Sequence, residues 1–337
     1  LRATMSDPVE NTEQASPALQ EKWGVAMKKK HGKKDLLTIG MPVFNDPEGV
    51  RKSASTIFNQ SWPGEKCLLI IDDGSTDETP AVIEEMQAKY QKITVYRNER
   101  NRGRPYSRNR VLELAGGEYL AWIDSGDQWD PQKIELQFKT LERTEEKEHP
   151  LICTCPFLWV WLNSGESRVK WPLLKGDQLY NALRGRVFPY LWTMLGPLES
   201  FTQVGGFDER LPRRQDFDFL IRYLAAGGKM VESETERPLC TYYKTDVGRS
   251  GYDIARANHI IWQKHKPLYF RYGRRFAFYC RRRQFALAAR FFRANRQFIP
   301  WLCYMIYERI LAVLSAGPVV RFFNRFRKKA IVLKGEE

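Results

Sequence analysis

The chain has 337 residues, 43% of them hydrophobic, which is enough for one large domain with an appendage or for two domains. Its net charge of +14 is uneven: residues 254–337 hold 19 Lys/Arg against 3 Asp/Glu, whereas residues 1–253 hold 35 against 37. Six scattered cysteines and four histidines show no zinc spacing, so a zinc module is excluded and the thiols read as reduced, in a cytoplasmic protein.

Residues 1–34 are polar and end in two lysine clusters, which predicts a flexible lead-in without a secretory leader. A first strand is predicted over residues 36–40, running into the turn Met41-Pro42-Val43-Phe44-Asn45-Asp46. Val50, Ala54 and Ile57 then recur at helical spacing. Residues 66–71 form a second, nearly all-apolar strand ending in Asp72-Asp73-Gly74-Ser75-Thr76-Asp77. A helix over 79–90, a strand over 93–96 and a helix ending at Leu114 follow. Residues 119–123 form a fourth strand, and a helix is predicted from Pro131 to about Lys147. Strands separated by helices of this length mean βαβ units and a parallel sheet. Ligands of such sheets bind off the carboxyl ends of the strands.

Two of those strand tips carry acids. Asp124 and Asp127 follow the fourth strand, and two carboxylates so close are costly unless a cation neutralises them. Oxygen ligands alone suit magnesium or manganese. The alternative is a solvated loop with two helix-capping acids. No G-x-G-x-x-G follows the first strand and no G-x-x-x-x-G-K-[ST] occurs, which argues against a dinucleotide fold and a P-loop NTPase.

A series of short motifs runs through residues 36–250. In order they are Pro42-Val43-Phe44-Asn45, Asp72-Asp73-Gly74-Ser75-Thr76-Asp77, Asn101-Arg102-Gly103, Ser107-Arg108-Asn109 and Ile123-Asp124-Ser125-Gly126-Asp127. Gly205-Gly206-Phe207-Asp208 and Gln215-Asp216-Phe217-Asp218 complete it. The ordered series resembles the family 2 glycosyltransferases. That resemblance implies the α/β GT-A fold, a Rossmann-like mixed sheet for nucleotide-diphospho-sugar donors, here with a basic helical C-terminal extension.

The resemblance also implies roles. Pro42, Val43, Phe44 and Asn45, with Asp72 and Asp73, would hold the nucleotide base. Phe44 replaces the family's usual Tyr and keeps a stacking face. Asp73 would accept the base N–H and Asp72 would shape the loop, unless Asp72 is only a turn cap. Arg108 would sit near the base or diphosphate, unless it is a surface arginine. Asp124 and Ser125 would line the donor site. The family's usual strand-end Asp-x-Asp-Asp has its metal-binding acid at Asp127 and its ribose acid at Gly126, so the metal ligand is kept and the ribose carboxylate is missing. Asp127 is the first metal candidate and Asp124 the second. Asp216 matches the catalytic base, with Gln215 replacing a Glu; its alternative is a helix cap. Arg213, Arg214 and the helix N-terminus are expected to keep Asp216 ionised. Asp218, on another face of the helix, is expected to matter less for chemistry. Lys244, Arg249 and Ser250 stand where the family often has a diphosphate loop.

Residues 151–200 are aromatic-rich, with Trp159, Trp161, Trp171, Tyr180, Tyr190 and Trp192 available either to stack on sugars or to fill a core. No acid occurs over 254–307, where arginines and phenylalanines alternate as in basic amphipathic helices. Residues 298–320 are mostly apolar, but Glu308 and Arg309 in their middle would cost about 5 kcal/mol at bilayer depth. An interfacial helix on an anionic leaflet is preferred over a span.

The expected organisation is a lead-in (1–34), a catalytic domain (35–253, with a nucleotide-sugar half 35–130 and an acceptor half 131–253) and a basic helical region (254–337). The expected activity is inverting transfer of a sugar, from a UDP-sugar by guess, to a carbohydrate or lipid-linked hydroxyl acceptor, assisted by Mn or Mg. It would serve cell-surface polysaccharide or glycolipid synthesis, in the cytoplasm and peripheral to the inner face of the cell membrane. The rivals are a nucleotidyltransferase, which would release pyrophosphate, and a nucleic-acid-binding protein acting through the basic tail. The segregation of arginines away from the acid-bearing body disfavours nucleic acid.

Overall fold

The structure is a computed structural model, described for residues 33–144, 151–188, 190–244 and 250–315. The predicted lead-in, apart from its last two residues, and the chain after 315 lie outside the described residues. Strand β1 (Lys33–Val43) carries Leu37, Ile39 and Met41 with no solvent exposure. Its alternation places them beneath helix α1 (Pro47–Phe58), which buries Val50, Ala54 and Ile57 in return. Asp46 caps α1 by accepting from the Gly49 N–H at 3.0 Å, and Pro47 occupies the first turn, where its missing N–H is harmless.

The alternation then repeats: β2 (Glu65–Asp72), α2 (Thr79–Lys89), β3 (Ile93–Arg97), α3 (Arg104–Leu114) and β4 (Gly117–Trp122). β1 pairs in parallel with β2 and β4, and β2 with β3. Val43 pairs with Asp72 and Gly40 with Trp122, so the tips of three strands open at one edge of the sheet. Gly40 is required there, because a Cβ would meet Val111 of α3 at 2.4 Å.

The short β5 (Gln128–Trp129) leads into α4 (Lys133–Arg143). That helix ends four residues earlier than predicted from its periodicity, with Thr144 already extended. β6 (Leu151–Thr154), β7 (Phe157–Trp161), β8 (Ser167–Lys170), α5 (Gln178–Leu183), β9 (Leu195–Pro197) and α6 (Leu198–Thr202) follow. Then come α7 (Gln215–Ala225), β10 (Lys229–Glu232) and β11 (Cys240–Lys244). The main sheet has seven strands in the order β10-β6-β9-β4-β1-β2-β3, with β9 antiparallel to both neighbours. A smaller sheet, β5-β11-β7-β8, stands beside it. This is the expected mixed α/β architecture.

Three helices follow: α8 (Gly251–Arg271), α9 (Arg274–Ala294) and α10 (Phe298–Ser315). Ala257, Ile261, Trp262, Tyr269, Phe276 and Cys280 of α8 and α9 join the same buried cluster as Trp122, Phe201 and Phe219. α10 differs: Phe298, Ile299, Leu302, Ile306, Tyr307 and Ile310 are all more than half exposed. Among the described residues no helix is long and apolar enough to cross a membrane.

Candidate active site at the carboxyl edge of the sheet

The β1 and β2 tips are laced together. Asn45 adopts a left-handed conformation (φ 49°), its N–H donates to Ser75 Oγ at 3.0 Å, and its Oδ1 accepts from the Thr76 N–H at 2.9 Å. Pro42 and Val43 are buried, and the Val43 carbonyl accepts from the Asp73 N–H at 2.8 Å. These two therefore hold the loop through backbone and packing. Phe44 beside them is 42% exposed and offers a free ring face.

Asp72 caps its turn: its Oδ1 accepts from the Ser75 N–H at 2.9 Å, and Arg97 lies 3.3 Å from Oδ2. Asp73 also braces a neighbouring loop. Its Oδ1 accepts from Asn98 Nδ2 (2.8 Å) and the Arg102 N–H (3.0 Å), and its Oδ2 from the Gly103 N–H (2.8 Å). These three donors let the buried carboxylate clamp the 98–103 loop and leave one acceptor site on Oδ2.

At the β4 tip the acids divide. Arg108 is buried, not a surface residue, and donates from Nη2 to Asp124 Oδ1 at 3.0 Å. Arg104 lies 4.0 Å from the other oxygen. Burial opposes ionisation of Asp124, but Arg108 and Arg104 outweigh it and hold the carboxyl below its usual range. Ser125, half-buried, lies between Asp124 and Gly126. Gly126 (φ 89°) donates its N–H to Ser53 Oγ at 3.0 Å, and a Cβ there would lie in contact with Asp46 Oδ2, at 3.7 Å. Asp127 is only 3% exposed, and among the described residues its Oδ2 has no hydrogen-bond partner. Burial, then the Asp124 charge, pushes its carboxyl well above the usual range, with Asp46 adding to it.

A buried carboxylate oxygen left without a donor is the place where a hard cation would fit. Among the described residues no three His, Cys, Asp or Glu side chains gather in a metal-holding arrangement. Asp127 and Asp124 are thus the acids that could serve, and water and phosphate oxygens would complete the shell, as magnesium and manganese prefer.

Asp216 stands in the first turn of α7, half-buried, its Oδ1 accepting from the Phe217 N–H at 2.8 Å. Burial raises its proton affinity; Arg108 and Arg214 act against that and Asp124 adds to it. Burial outweighs the arginines, so the carboxyl is held above its usual range and not below it. Its coupling to Arg108 and Asp124 nonetheless ties α7 to the β4 tip. Asn109 makes the same link through hydrogen bonds: its Nδ2 donates to the Phe207 carbonyl (3.0 Å) and its Oδ1 accepts from the Phe207 N–H (2.6 Å).

Asp218 is fully buried and accepts from Arg222 Nε (2.9 Å), Lys264 Nζ (2.9 Å) and His265 Nε2 (2.7 Å). Its place is structural. The three diphosphate candidates do not gather into a described loop. The Lys244 ammonium lies over Trp159 and Trp161 at 5.1 and 4.8 Å, Ser250 caps α8 at the Asp253 N–H, and Arg249 lies outside the described residues. Of the aromatics, Tyr190 and Trp192 continue a stacked row with Phe188 and Tyr242, Tyr180 stacks on Phe276, and Trp171 is 47% exposed.

The Glycosyl transferase family 2 profile matches residues 38–147. Residues 38–147 thus resemble a glycosyl transferase family 2 domain. An uncharacterized glycosyltransferase of Methanocaldococcus jannaschii is 27% identical over 57% of this chain and 66% of its own length. TuaG of Bacillus subtilis, a putative teichuronic acid biosynthesis glycosyltransferase, is 32% identical over 32% of this chain and 42% of its own. This chain thus spans 31% to 66% of the length of these and further curated relatives. S. aureus TarS 1-349 in complex with UDP-GlcNAc shares the fold at a TM-score of 0.60 and 16% identity, over 80% of this chain and 79% of that one. The Pyrobaculum calidifontis mannosyltransferase PcManGT, in complex with GDP-Man and Mn2+, does so at 0.52 and 16%, over 89% and 91%.

Three neighbours of the site are not assigned by the sequence motifs. Arg104 sits four residues before Arg108, a helical repeat that could have been noticed. Asp46 was read only as a turn residue. Asn109 was quoted in a motif without a role, and nothing in the sequence says that it grips a turn 98 residues away.

Proposed function

We propose that the chain transfers a sugar, with inversion, from a nucleotide-diphospho-sugar to a hydroxyl acceptor, with residues 35–253 as the catalytic unit. The carrying observation is the unpartnered Oδ2 of buried Asp127, beside an Asp124 that Arg108 holds ionised. Phe44 stacks on the nucleotide base. Asp127, with Asp124, would hold Mn or Mg. That cation supplies charge neutralisation for the departing diphosphate. Arg104 and Arg108 orient Asp124 and add positive field at the same edge. Asp216 takes the acceptor hydroxyl's proton as that oxygen attacks the anomeric carbon. Relatives include TuaG, named for teichuronic acid biosynthesis, and WfgD, a glucosyltransferase acting on a diphosphoundecaprenol-linked sugar. These support a cell-surface polysaccharide or glycolipid product and, with TarS bound to UDP-GlcNAc, a UDP-sugar donor.

The acceptor side is placed at an anionic membrane surface. The apolar face of α10, led by Phe298 (65% exposed) and Ile299 (80%), follows directly on exposed Arg290, Arg293 and Arg296. Apolar residues beside a basic collar suit the headgroup boundary of an acidic bilayer.

The deciding experiment is Asp216→Asn, which keeps the shape and cannot take a proton. With the donor identified by a nucleotide-sugar screen, kcat should fall by about 10²–10⁴-fold, while nucleoside diphosphate binding in the presence of manganese changes little. Transfer at near wild-type rate would remove Asp216 from the role of base.

A further inference from the structure

The start of α7 is held in an unusual way. Arg214, the residue before the helix, has φ 64°, a left-handed conformation that favours glycine. Its side chain does not cap the helix. The guanidinium instead lies over the Phe217 ring, 4.3 Å from the centroid, and Nη1 donates to Asn258 Oδ1 in α8. A non-glycine residue stays in this region only where its surroundings over-determine it.

Asn258 is such a surrounding. It is 3% exposed, and both ends of its amide are used. While Oδ1 accepts from Arg214, Nδ2 donates to the Gln284 carbonyl of α9 at 2.7 Å, and the Asn258 carbonyl accepts from Arg281 at 3.1 Å. Gln284 is buried too and donates to the hydroxyl of fully buried Tyr269 at 3.0 Å. A polar chain thus runs from the inside of α9, through α8, to the residue two before Asp216. On the other side of Asp216, Asp218 is gripped by Lys264 and His265 of the same α8. Helix α8 therefore holds the first turn of α7 on both sides of the carboxylate.

We propose that Asn258 is a positioning residue for Asp216, acting through Arg214. Resting on the reading of Asp216 as the base, this makes the basic C-terminal helices a working part of the catalytic site as well as a surface feature. Asn258 fixes the guanidinium, the guanidinium fixes the left-handed turn, and the turn aims the Asp216 carboxylate. Arg214 also adds a positive charge beside Asp216, together with Arg108 and against Asp124.

The test uses the full chain, manganese and the nucleotide-sugar it turns over, read by release of nucleoside diphosphate. Asn258→Ala and Arg214→Gly are each made, with the double variant and Asn258→Asp. Glycine suits φ 64°, so Arg214→Gly removes the side chain without straining the turn, and it decides the matter if Asn258→Ala does not fold. Each single variant should lower kcat by about 10- to 100-fold, as small misplacements of catalytic groups do, with donor KM within about twofold. The double variant should be no worse than the weaker single, because both break one chain. Asn258→Asp keeps the acceptor for Arg214 but loses the donor to the Gln284 carbonyl, so it should restore part of the rate lost in Asn258→Ala. Removing the Arg214 charge should also move the acid limb of the kcat profile to higher pH, a readout that a purely structural role would leave alone. Wild-type kcat with an unchanged pH profile in both singles, or losses that multiply in the double, would overturn the proposal. If Asp216→Asn is inactive while these variants turn over normally, only the positioning role falls. If Asp216→Asn is active, the base assignment falls and this inference goes with it.

Discussion

Asp127 and Asp218 are both nearly shut off from solvent, at 3% and 0% exposure, yet their carboxyls are driven in opposite directions. Asp218 meets three donors on its two oxygens, and though burial opposes ionisation, His265, Arg222 and Lys264 pull its proton affinity far below the usual range. Asp127 meets no donor at Oδ2, and burial with the neighbouring Asp124 charge pushes it the other way. Burial is common to both, so it does not mark a functional acid. What separates them is whether the fold answers the charge. Asp218 is answered from within the chain and ties α7 to α8. Asp127 is left for something the chain does not supply.

The largest effect expected from this contrast is on stability, at Asp218. Asp218→Asn leaves Lys264, Arg222 and His265 around a neutral amide, and breaking a buried charge network from one side typically costs about 3–5 kcal/mol. Urea unfolding at pH 7 should show a loss of that order. The sign with pH follows from the depressed folded pKa. The contribution is complete above the unfolded carboxyl value near 4 and fades as pH falls below it. Asp208, drawn down to about 2 by Arg210 and Lys264 against its burial, fades over the same range. Wild type and variant should therefore converge in acid. A variant as stable as wild type at pH 7 would mean that the network is not holding α7.

Much of the fold was legible from sequence because strand and helix periods are local. The tips of β1, β2 and β4, with Phe44, Asp72, Asp124 and Asp127, could be placed at one edge without seeing them. What stayed hidden is long-range pairing. The sequence does not show that the 98–103 loop folds back onto the oxygens of Asp73. Asp218 looked like a spare acid, because Lys264 and His265 lie more than forty residues on in what read as a surface extension. The arginine and phenylalanine alternation of 254–294 was seen correctly, but composition could not say which face turns inward. Phe276 and Cys280 are buried, whereas Arg290 and Arg293 are exposed.

A smaller effect, and one of opposite sign, is expected at Asp127. Its folded pKa is raised, so the carboxyl destabilises the fold as pH rises through the window above about 4. Asp127→Asn removes that penalty. Without divalent cation at pH 7 the variant should be as stable as wild type or more so, by up to about 1–3 kcal/mol, the usual cost of an unsatisfied buried polar group. Manganese with a nucleoside diphosphate should raise the wild-type melting temperature and leave the variant's unchanged. Equal shifts in both proteins would take Asp127 out of the cation site. A variant markedly less stable than wild type would place Asp127 alongside Asp218, as an acid whose charge the fold uses.

The smallest effect completes the contrast with a pair that is bonded but not buried. Arg143 at the end of α4 lies 2.7 Å from Glu234, and the two side chains are 66% and 64% exposed. The distance is shorter than any in the Asp218 network except that to His265, at 2.7 Å. If pairing alone decided stability, this bridge would matter about as much as those. Exposed charges stay hydrated, however, two long side chains lose freedom to meet, and salt screens them within about 8 Å at physiological ionic strength. A double-mutant cycle over Arg143→Ala and Glu234→Ala should therefore return a coupling of about 0.2–1 kcal/mol at low salt, and less at high salt. The Asp218 effect should survive the same salt, because water and ions do not reach it. Should the Arg143–Glu234 coupling match the Asp218 loss and resist salt, then burial is not what gives pairing its weight, and the unpartnered oxygen of Asp127 would lose its standing as a mark of function.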